Sequence, residues 1–253
     1  MGTVSFDFKD EVVVVTGGSR GLGLEIAHAF GQAGAKVVIT ARREQWLSEA
    51  EKFLKDQAIA VDALICDVAD AAAVEQMVQQ ALEKNGKIDA LVNNAGLTWG
   101  APAETMPLER WRQVIDANIT GTFLMSQAVG RHMLERKKGA IVNVASIAGL
   151  GGGQLQTVGY NASKAAVINL TRALAVEWAG RGIRVNAIAP GMFRTRMSEA
   201  VLQRAEAIIT ATTPMGRIGQ PGEIAPTVLF LASEGASYIT GQVIPIDGGR
   251  SAQ

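Results

Sequence analysis

A tyrosine and a lysine four positions apart form the most reactive pair in this sequence. Tyr160 and Lys164 stand in the stretch GYNASKAAV, whose pattern is helical, so both side chains share one face of the predicted helix. A free phenol has a pKa of about 10, too high for efficient proton transfer at neutral pH. A neighbouring ammonium and a ribose hydroxyl would stabilise the phenolate and lower that pKa. The pair therefore predicts a phenol that exchanges a proton with a substrate.

A serine upstream of this helix extends the candidate reactive group. The apolar run GAIVNVAS ends at Ser146, at the end of a predicted strand, where a parallel sheet places its ligands. A hydroxyl there would hydrogen-bond a substrate carbonyl. Tyrosine and lysine pair by chance on many helices, so the meaning of the motif depends on the elements around it.

Four glycines within seven residues follow the first strand-like run, in VVVVTGGSRGLG. Glycines permit positive φ and close backbone approach. The helix that begins after them would offer unpaired N–H groups and a partial positive charge to a phosphate. The spacing is neither the usual dinucleotide fingerprint nor the phosphate loop of nucleotide hydrolases. A nucleotide site is nevertheless favoured over a plain strand-to-helix turn.

The end of the second predicted strand, KVVITARRE, indicates which dinucleotide. NAD-binding folds commonly place an acidic residue here, on the adenosine ribose hydroxyls. This sequence has Ala41, Arg42 and Arg43 instead, and Arg20 lies in the glycine loop. Guanidinium groups pair with a 2′-phosphate, whereas cations that merely open a helix are mildly unfavourable. We therefore expect NADP(H), with NAD as the less favoured alternative.

Strand-like runs alternate with helical patterns along the whole chain. The runs are continuously apolar, as in strands that are covered on both faces. This alternation predicts an α/β fold with a doubly wound parallel sheet, and no linker divides residues 1–253, so one domain is expected. The predicted helices lie near 21–33, up to 53, and at 71–84, 107–115, 121–136, 160–179 and 221–232.

The composition limits the possible partners. The 24 basic and 24 acidic residues cancel, so there is no basic excess for nucleic acid or an anionic membrane. Cys66, the single cysteine, lies in an apolar stretch, and with two distant histidines it gives no metal-ligand spacing. The N-terminus lacks a signal-peptide pattern, and no segment resembles a membrane span. We expect a cytoplasmic protein without a metal, nucleic-acid or membrane partner.

Together these motifs resemble the short-chain dehydrogenase/reductase family, in the order TGGSRGLG, CDV, NNAG, NIT, Ser146 with YNASK, and RVNAIAPG. The match runs from about Asp10 to Gly249, nearly the whole chain. The resemblance implies a seven-stranded Rossmann-type sheet with helices on both faces. It also implies hydride transfer between a nicotinamide and a ketone or secondary alcohol.

The resemblance assigns four catalytic roles. Tyr160 would donate a proton to the carbonyl oxygen, and Ser146 would orient and polarise that oxygen. Lys164 would hold the nicotinamide ribose and lower the pKa of Tyr160. Asn118 of NIT would hold a water that links Lys164 to solvent. Ser146 and Tyr160 stand one residue farther apart than the family often shows, which affects the pocket wall and not these roles.

The same resemblance carries cofactor contacts over to residues that follow the predicted strands. They are Gly17, Ser19, Arg20, Leu22, Arg42, Asp67, Val68, Asn94, Ala95, Gly96, Tyr160, Lys164, Pro190, Gly191, Phe193 and Thr195. Asn94 to Gly96 would also shape the end of the sheet. Residues 192–221 are expected to form a mobile substrate lid, in which Arg194 and Arg196 would meet an acidic substrate or solvent. Trp99, Gln154, Leu155, Gln156 and Val158 are further candidates for the pocket wall.

Three functions remain open at this stage. The leading hypothesis is an NADP(H)-dependent carbonyl or 3-oxoacyl reductase. The second is a sugar-acid or polyol dehydrogenase similar to gluconate 5-dehydrogenase. The third is a catalytically silent NADP-binding regulator, which the intact set of Asn118, Ser146, Tyr160 and Lys164 disfavours.

The helix that carries Tyr160 also predicts an assembly. It is apolar around most of its circumference, and such a helix is usually buried on all sides. A second subunit, meeting it and the helix at 121–136 around a two-fold axis, would cover the side that faces away from the sheet. The resemblance implies a homotetramer.

Overall fold

The computed structural model describes residues 5–152 and 155–253, with a parallel sheet at the centre. Within these residues the sheet has seven strands in the order β3-β2-β1-β4-β5-β6-β7. This confirms the predicted Rossmann-type class. The strands are β1 Val12–Thr16, β2 Lys36–Ala41, β3 Val61–Ile65, β4 Ala90–Asn93, β5 Gly139–Val144, β6 Ile183–Pro190 and β7 Val243–Ile246.

Helices cover both faces of the sheet. Their bounds are α1 Gly21–Gln32, α2 Glu44–Asp56, α3 Ala71–Asn85, α4 Leu108–Ile115, α5 Gly121–Arg136, α6 Val158–Trp178, α7 Glu199–Ala211 and α8 Ala225–Ala232. On one face α1, α2 and α8 pack against Val13 and Val15 of β1. On the other, α3, α5 and α6 pack against Val12 and Val14. This two-sided burial is why the strands are continuously apolar in the sequence.

Most predicted helices lie within a few residues of their observed bounds, and two regions differ. The last predicted helix, expected from about position 221, begins at Ala225, after a turn in which Gly222 has a φ of 89°. Inside the expected lid, residues 199–211 form α7, which is not among the helices predicted from the sequence.

The order of the strands creates a crevice between β1 and β4. From β1 the chain proceeds outward through β2 and β3, and from β4 it proceeds in the opposite direction to β7. Open parallel sheets bind ligands beyond the carboxyl ends of the strands at such a reversal. Among the described helices, none is long and apolar enough to cross a membrane. Likewise, the described residues include no cluster of three or more metal-ligating side chains.

Candidate active site

The glycine loop joins β1 to α1 in a conformation that requires glycine. Gly17 has a φ of 63° and Gly21 a φ of 54°, both in the left-handed region. A Cβ at Gly23 would lie 2.3 Å from the carbonyl oxygen of Gly17. The first turn of α1 therefore sits directly on the loop, and its N–H groups point toward the crevice.

The NNAG segment after β4 locks this loop to the sheet. Asn94 Nδ2 donates to the carbonyl oxygens of Thr16 at 2.9 Å and Gly17 at 3.2 Å. In return, Thr16 Oγ1 accepts from the backbone N–H groups of Asn94 and Ala95, each at 3.0 Å. Asn94 thus holds the two strands that border the crevice at a fixed separation.

The three reactive side chains come together at the carboxyl end of β5. Ser146 follows that strand, and its side chain lies beside Tyr160 in the first turn of α6. Lys164 lies one turn further along the helix, with Nζ 5.7 Å from the centroid of the Tyr160 ring. The ammonium donates to the carbonyl oxygen of Val144 at 2.7 Å. The helical spacing read from the sequence therefore brings Tyr160 beside Ser146 and Lys164 beside the end of β5.

Desolvation shifts the pKa of both titratable groups at this site, Tyr160 and Lys164. Desolvation raises the pKa of Tyr160, and the hydrogen bond with Ser146 offsets only part of this. Lys164 is not among the causes that act on the Tyr160 pKa here, and its ammonium is 5.7 Å from the ring centroid, so a lowering by Lys164 together with a bound ribose stays a prediction. Desolvation also lowers the pKa of Lys164, to about 8. Tyr160 is therefore held as a neutral acid.

Asn118 lies in a single π-helical turn, Asp116–Thr120, that joins α4 to α5. Such turns are rare and are often found at functional sites. The amide of Asn118 is fully engaged: Oδ1 accepts from Leu97 N at 2.8 Å, and Nδ2 donates to Leu97 O and to Ser163 Oγ, each at 2.9 Å. Its side chain thus ties the segment after β4 to α6. The backbone carbonyl oxygen of Asn118 accepts from Thr122 Oγ1 at 2.7 Å, so a water bound here would be a second donor to this oxygen or to Oδ1.

Gly96 brings this tie close to the reactive group. A Cβ at Gly96 would lie 2.9 Å from Asn118 Oδ1 and 3.6 Å from Lys164 Nζ. Asn118, Gly96 and Lys164 are therefore neighbours, as the predicted catalytic set requires.

The predicted arginines lie around a tryptophan that the sequence analysis missed. Trp46 stands in the first turn of α2, and the guanidinium carbons of Arg20, Arg43 and Arg196 lie 3.8, 4.2 and 5.0 Å from its ring centroid. The available signal was an aromatic residue three positions after an arginine pair. On an amphipathic helix, however, a tryptophan has the appearance of a core residue. We call Trp46 with these three arginines the arginine cluster.

Arg42 has a different partner. Its guanidinium lies 3.7 Å from the carboxylate of Asp67, and both side chains are largely exposed. Asp67 Oδ1 also accepts from Ala69 N at 3.1 Å, which fixes the carboxylate beyond β3. The two residues therefore line the outer end of the crevice as an ion pair rather than as separate contacts.

The lid is pinned at its base. Residues Phe193 and Gly219 form a parallel backbone bridge, and Gly219 N donates to Met192 O at 2.9 Å. A Cβ at Gly219 would lie 2.2 Å from the Phe193 ring, so only glycine fits there. We call this pair the lid neck. The ring of Phe193 is buried in the core, which leaves only its backbone for the predicted cofactor contact.

The lid also packs against the glycine loop. A Cβ at Gly21 would lie 3.6 Å from Thr195 Cγ2. Together with Leu22 and Phe193, these residues line a cleft of about 190 Å³ at the start of α1. Pro190 ends β6, and Gly191 N donates to Ile246 O at 2.9 Å, so the lid leaves the sheet from a fixed point.

Some candidate side chains for the pocket wall are exposed, and others contact a neighbouring residue. Leu155, Val158 and Met197 are each more than two-fifths exposed. Trp99 stacks with Arg110, whose guanidinium carbon lies 4.5 Å from its ring centroid. Arg194 pairs with both carboxylate oxygens of Glu206 at 2.7 Å, so it is not available as a separate anion site. Gln154 lies outside the described residues.

Two features of the crevice fit a dinucleotide phosphate. The glycine loop leaves no room for a Cβ at Gly17 or Gly23 and offers the N-terminus of α1. The arginine cluster adds positive charge beside β2. Val68 lies deeper than expected, packed against the position of Gly121 and 7% exposed. Ser19, Leu22 and the backbone of Gly96 lie at the edges of the same crevice, and their cofactor contacts stay predictions.

Comparison with known proteins agrees with this geometry. Residues 17–251 match a protein-family model described as enoyl-(acyl carrier protein) reductase. The chain is 41% identical over 241 residues to the 3-oxoacyl-(acyl-carrier-protein) reductase FabG of Thermotoga maritima, covering 95% of this chain and 98% of that one. It is 44% identical over 247 residues to the galactitol 2-dehydrogenase (L-tagatose-forming) of Cereibacter sphaeroides, covering 96% of each.

A solved structure also resembles the whole chain. It is a gluconate 5-dehydrogenase of Burkholderia cenocepacia in complex with NADP and tartrate. The TM-score is 0.94 with 34% sequence identity, and the alignment covers 98% of each chain.

Proposed function

This chain belongs to the short-chain dehydrogenase/reductase family, and we propose that it uses NADP(H) to reduce a ketone or a 3-oxoacyl group through Tyr160. That it is an oxidoreductase acting on a carbonyl or its alcohol follows from its relatives, among which are 3-oxoacyl reductases and polyol dehydrogenases. The cofactor, the substrate and the roles of individual residues are our proposals.

The observation that carries the catalytic assignment is the grouping of Ser146, directly after β5, with Tyr160 and Lys164, which lie one turn apart on α6 with Lys164 Nζ 5.7 Å from the Tyr160 ring centroid. Tyr160 is half-buried and desolvation raises its pKa, so the phenol is protonated and its hydroxyl can donate a proton to the oxygen of a carbonyl placed against it. Ser146 orients and polarises the same oxygen. The nicotinamide, when bound, supplies or accepts the hydride.

Lys164 and Asn118 position this group. The buried ammonium of Lys164, fixed by Val144, would hold ribose hydroxyls and stabilise charge that develops on Tyr160. Asn118 fastens the segment after β4 to α6 through Leu97 and Ser163. It thereby sets the distance between the crevice and the reactive hydroxyl.

The preference for NADP(H) is supported by the arginines at the crevice. Arg20 and Arg43 precede the first residues of α1 and α2, a place where a cation is unfavourable unless it binds an anion. Arg42 lies beside them and is paired with Asp67 at 3.7 Å, a contact weak enough to rearrange. We expect the 2′-phosphate of NADP(H) to pair with these guanidinium groups.

Steady-state kinetics test this preference. We expect a higher kcat/KM with NADPH than with NADH, and Arg42→Ala should weaken the use of NADPH selectively, by about 1–3 kcal/mol. Arg181→Ala is the matched control, because Arg181 is exposed and lies before β6, at the opposite edge of the sheet. Equal use of both cofactors by the wild type, unchanged in Arg42→Ala, would contradict the proposal.

The substrate has two candidate classes. Exposed apolar side chains at the pocket wall, Leu155, Val158 and Met197, favour an apolar ketone or acyl chain. The resemblance to a galactitol and a gluconate dehydrogenase supports a polyol or sugar acid instead. NADPH oxidation over a panel that includes a 3-oxoacyl thioester and 5-ketogluconate decides between them. No turnover with any member would favour a silent regulator.

The assembly we propose is a homotetramer. On the side of α6 that faces away from the sheet, Ala162, Ala165 and Ala173 are exposed, and Val176 is 85% exposed. The adjacent α5 exposes Phe123 at 40%. A two-fold contact between copies of these helices would bury this apolar surface.

A further inference from the structure

The lid contributes a charge to the arginine cluster. Arg196 belongs to the segment beyond the lid neck, whereas Arg20 belongs to the glycine loop and Arg43 to the start of α2. Yet all three guanidinium carbons lie within 5.0 Å of the Trp46 ring centroid. Three separate segments of the chain are therefore held together by one half-buried aromatic ring.

This cluster concentrates positive charge with no acidic partner. Across the described residues, no ion pair includes Arg20, Arg43 or Arg196. The neighbouring Arg42 and Arg194, by contrast, are each paired with a carboxylate. Burial lowers the pKa of Arg20, and Arg196 is the neighbouring charge that contributes most, ahead of Arg43 and Arg42. These like charges repel one another. A single aromatic ring offsets only part of such repulsion.

We propose that Arg196 and Arg20 jointly bind the 2′-phosphate of NADPH, so that this cofactor, unlike NADH, holds the lid against α2. The inference rests on the proposed use of NADP(H), which it deepens. A phosphate monoester at neutral pH carries about −1.5 to −2 charges and three acceptor oxygens. It can therefore accept from two guanidinium groups at once.

The consequence is that cofactor choice and lid position are coupled. A ligand shifts an equilibrium between an open and a closed lid only through contacts that differ between the two states. The 2′-phosphate has such a contact, because Arg20 stays with the glycine loop in both states and Arg196 moves with the lid. The rest of the dinucleotide is common to NADPH and NADH and gives the same contacts in both.

Binding and hydrogen exchange, measured without substrate, test the coupling. We expect Arg196→Ala to weaken NADPH binding by roughly tenfold, the scale of one charge-assisted contact, and to leave NADH binding unchanged. In the wild type, NADPH should slow amide exchange in residues 194–212 more than saturating NADH does. In Arg196→Ala this difference should disappear. Arg196→Lys should keep part of both effects.

Arg194→Ala is the matched control, since Arg194 lies in the same segment but pairs with Glu206. It should keep the wild-type difference between the two cofactors. If Arg196→Ala keeps the NADPH preference and the lid protection, the lid inference is overturned while the NADP(H) proposal stands. Equal loss of NADPH and NADH binding in Arg196→Ala would also overturn it, since that indicates a purely structural role. If the wild type itself binds both cofactors equally, the NADP(H) proposal fails first.

Discussion

At the scale of single residues, the proton transfer we propose depends on two groups, Tyr160 and Lys164, whose pKa values are both shifted by desolvation. Tyr160 stays protonated because burial raises its pKa, and Lys164 is close to losing its proton because burial lowers its pKa to about 8. Catalysis in the direction of reduction needs a protonated phenol. The protein without ligands already has the protonation state that this direction requires.

Tyr160→Phe removes only the hydroxyl that donates the proton. We expect turnover to fall by at least 10²-fold, within the range of general acid catalysis, while the Kd for NADPH stays nearly unchanged. Ser146→Ala should reduce kcat less, and Lys164→Ala should impair both binding and rate. Stopped-flow turnover and a fluorescence titration measure the two quantities. A residual rate above about a tenth of wild type, a cost of only ~1.4 kcal/mol, would contradict the assignment.

The pH profile reports on Lys164. Below a pH of about 8 its ammonium is present, and above this pH it is lost, since the pKa of Lys164 in the folded protein is lowered to about 8. We expect kcat/KM for NADPH, in the reduction direction, to be flat below this value and to fall as the pH rises through it. The raised pKa of Tyr160 keeps the phenol protonated over the same range.

Lys164→Arg tests whether the fall of kcat/KM above pH 8, the alkaline limb of the profile, comes from Lys164, because a guanidinium stays charged. Whatever rate this variant retains should show no fall near pH 8. If its limb coincides with that of the wild type, the limb belongs to another group.

At the scale of elements, the sequence predicted the strands and helices that a local pattern of apolar residues determines. Val12 to Val15 form a continuous apolar run because both faces of β1 are covered, and this is visible without a structure. The partners of a side chain are not visible in the same way. Trp46 gains its role from Arg196, which is distant in sequence. The desolvation that raises the pKa of Tyr160 was not visible either, because burial is a property of the assembled fold.

The π-helical turn at Asp116–Thr120 shows the same limit. Its sequence, DANIT, marked Asn118 through a family motif, but gave no sign that the helix widens there. Likewise, the sequence does not predict α7, because only some of its apolar residues are buried: Leu202 is 1% exposed and Ile208 66%. A helix that packs so little apolar surface has a weak periodic signature.

Gly219→Ala tests the lid neck as an element. The added Cβ would meet the Phe193 ring at 2.2 Å, so we expect a loss of stability of about 1–3 kcal/mol. Cleavage within residues 194–218 by a protease should also become faster. Urea unfolding and limited proteolysis measure these effects. Gly180→Ala is the matched control, because nothing lies within 4 Å of its Cβ position. If the two variants are equally stable, the neck does not constrain the lid.

At the scale of the whole molecule, α6 connects chemistry to assembly. Its inner side carries Lys164 and packs on the sheet through Leu174 and Trp178, while its outer side exposes Ala173 and Val176. A charge at Leu174 would therefore disturb the core and says nothing about subunit contacts. Ala173 is the informative position.

Ala173→Glu places a charge on the proposed interface. We expect light scattering of the wild type to give about four times the chain mass of 26.6 kDa, and the variant to give a smaller assembly. Gln76→Glu, on the exposed side of α3, should leave the mass unchanged. A wild-type mass near 26.6 kDa would exclude the tetramer. Retention of the full assembly by Ala173→Glu would show that this side of α6 is not the contact.

The lid neck has a consequence for how such a protein changes over generations. Because Phe193 and Gly219 join the two ends of the segment, the ends are already close whatever stands between them. Doubling the length of a loop with joined ends costs only about 0.6 kcal/mol in closure entropy. Insertions, deletions and wholesale replacement between the two residues should therefore leave the sheet undisturbed. Replacing this segment would change the pocket wall together with Thr195 and Arg196, while Ser146, Tyr160 and the glycine loop lie outside it and keep their places.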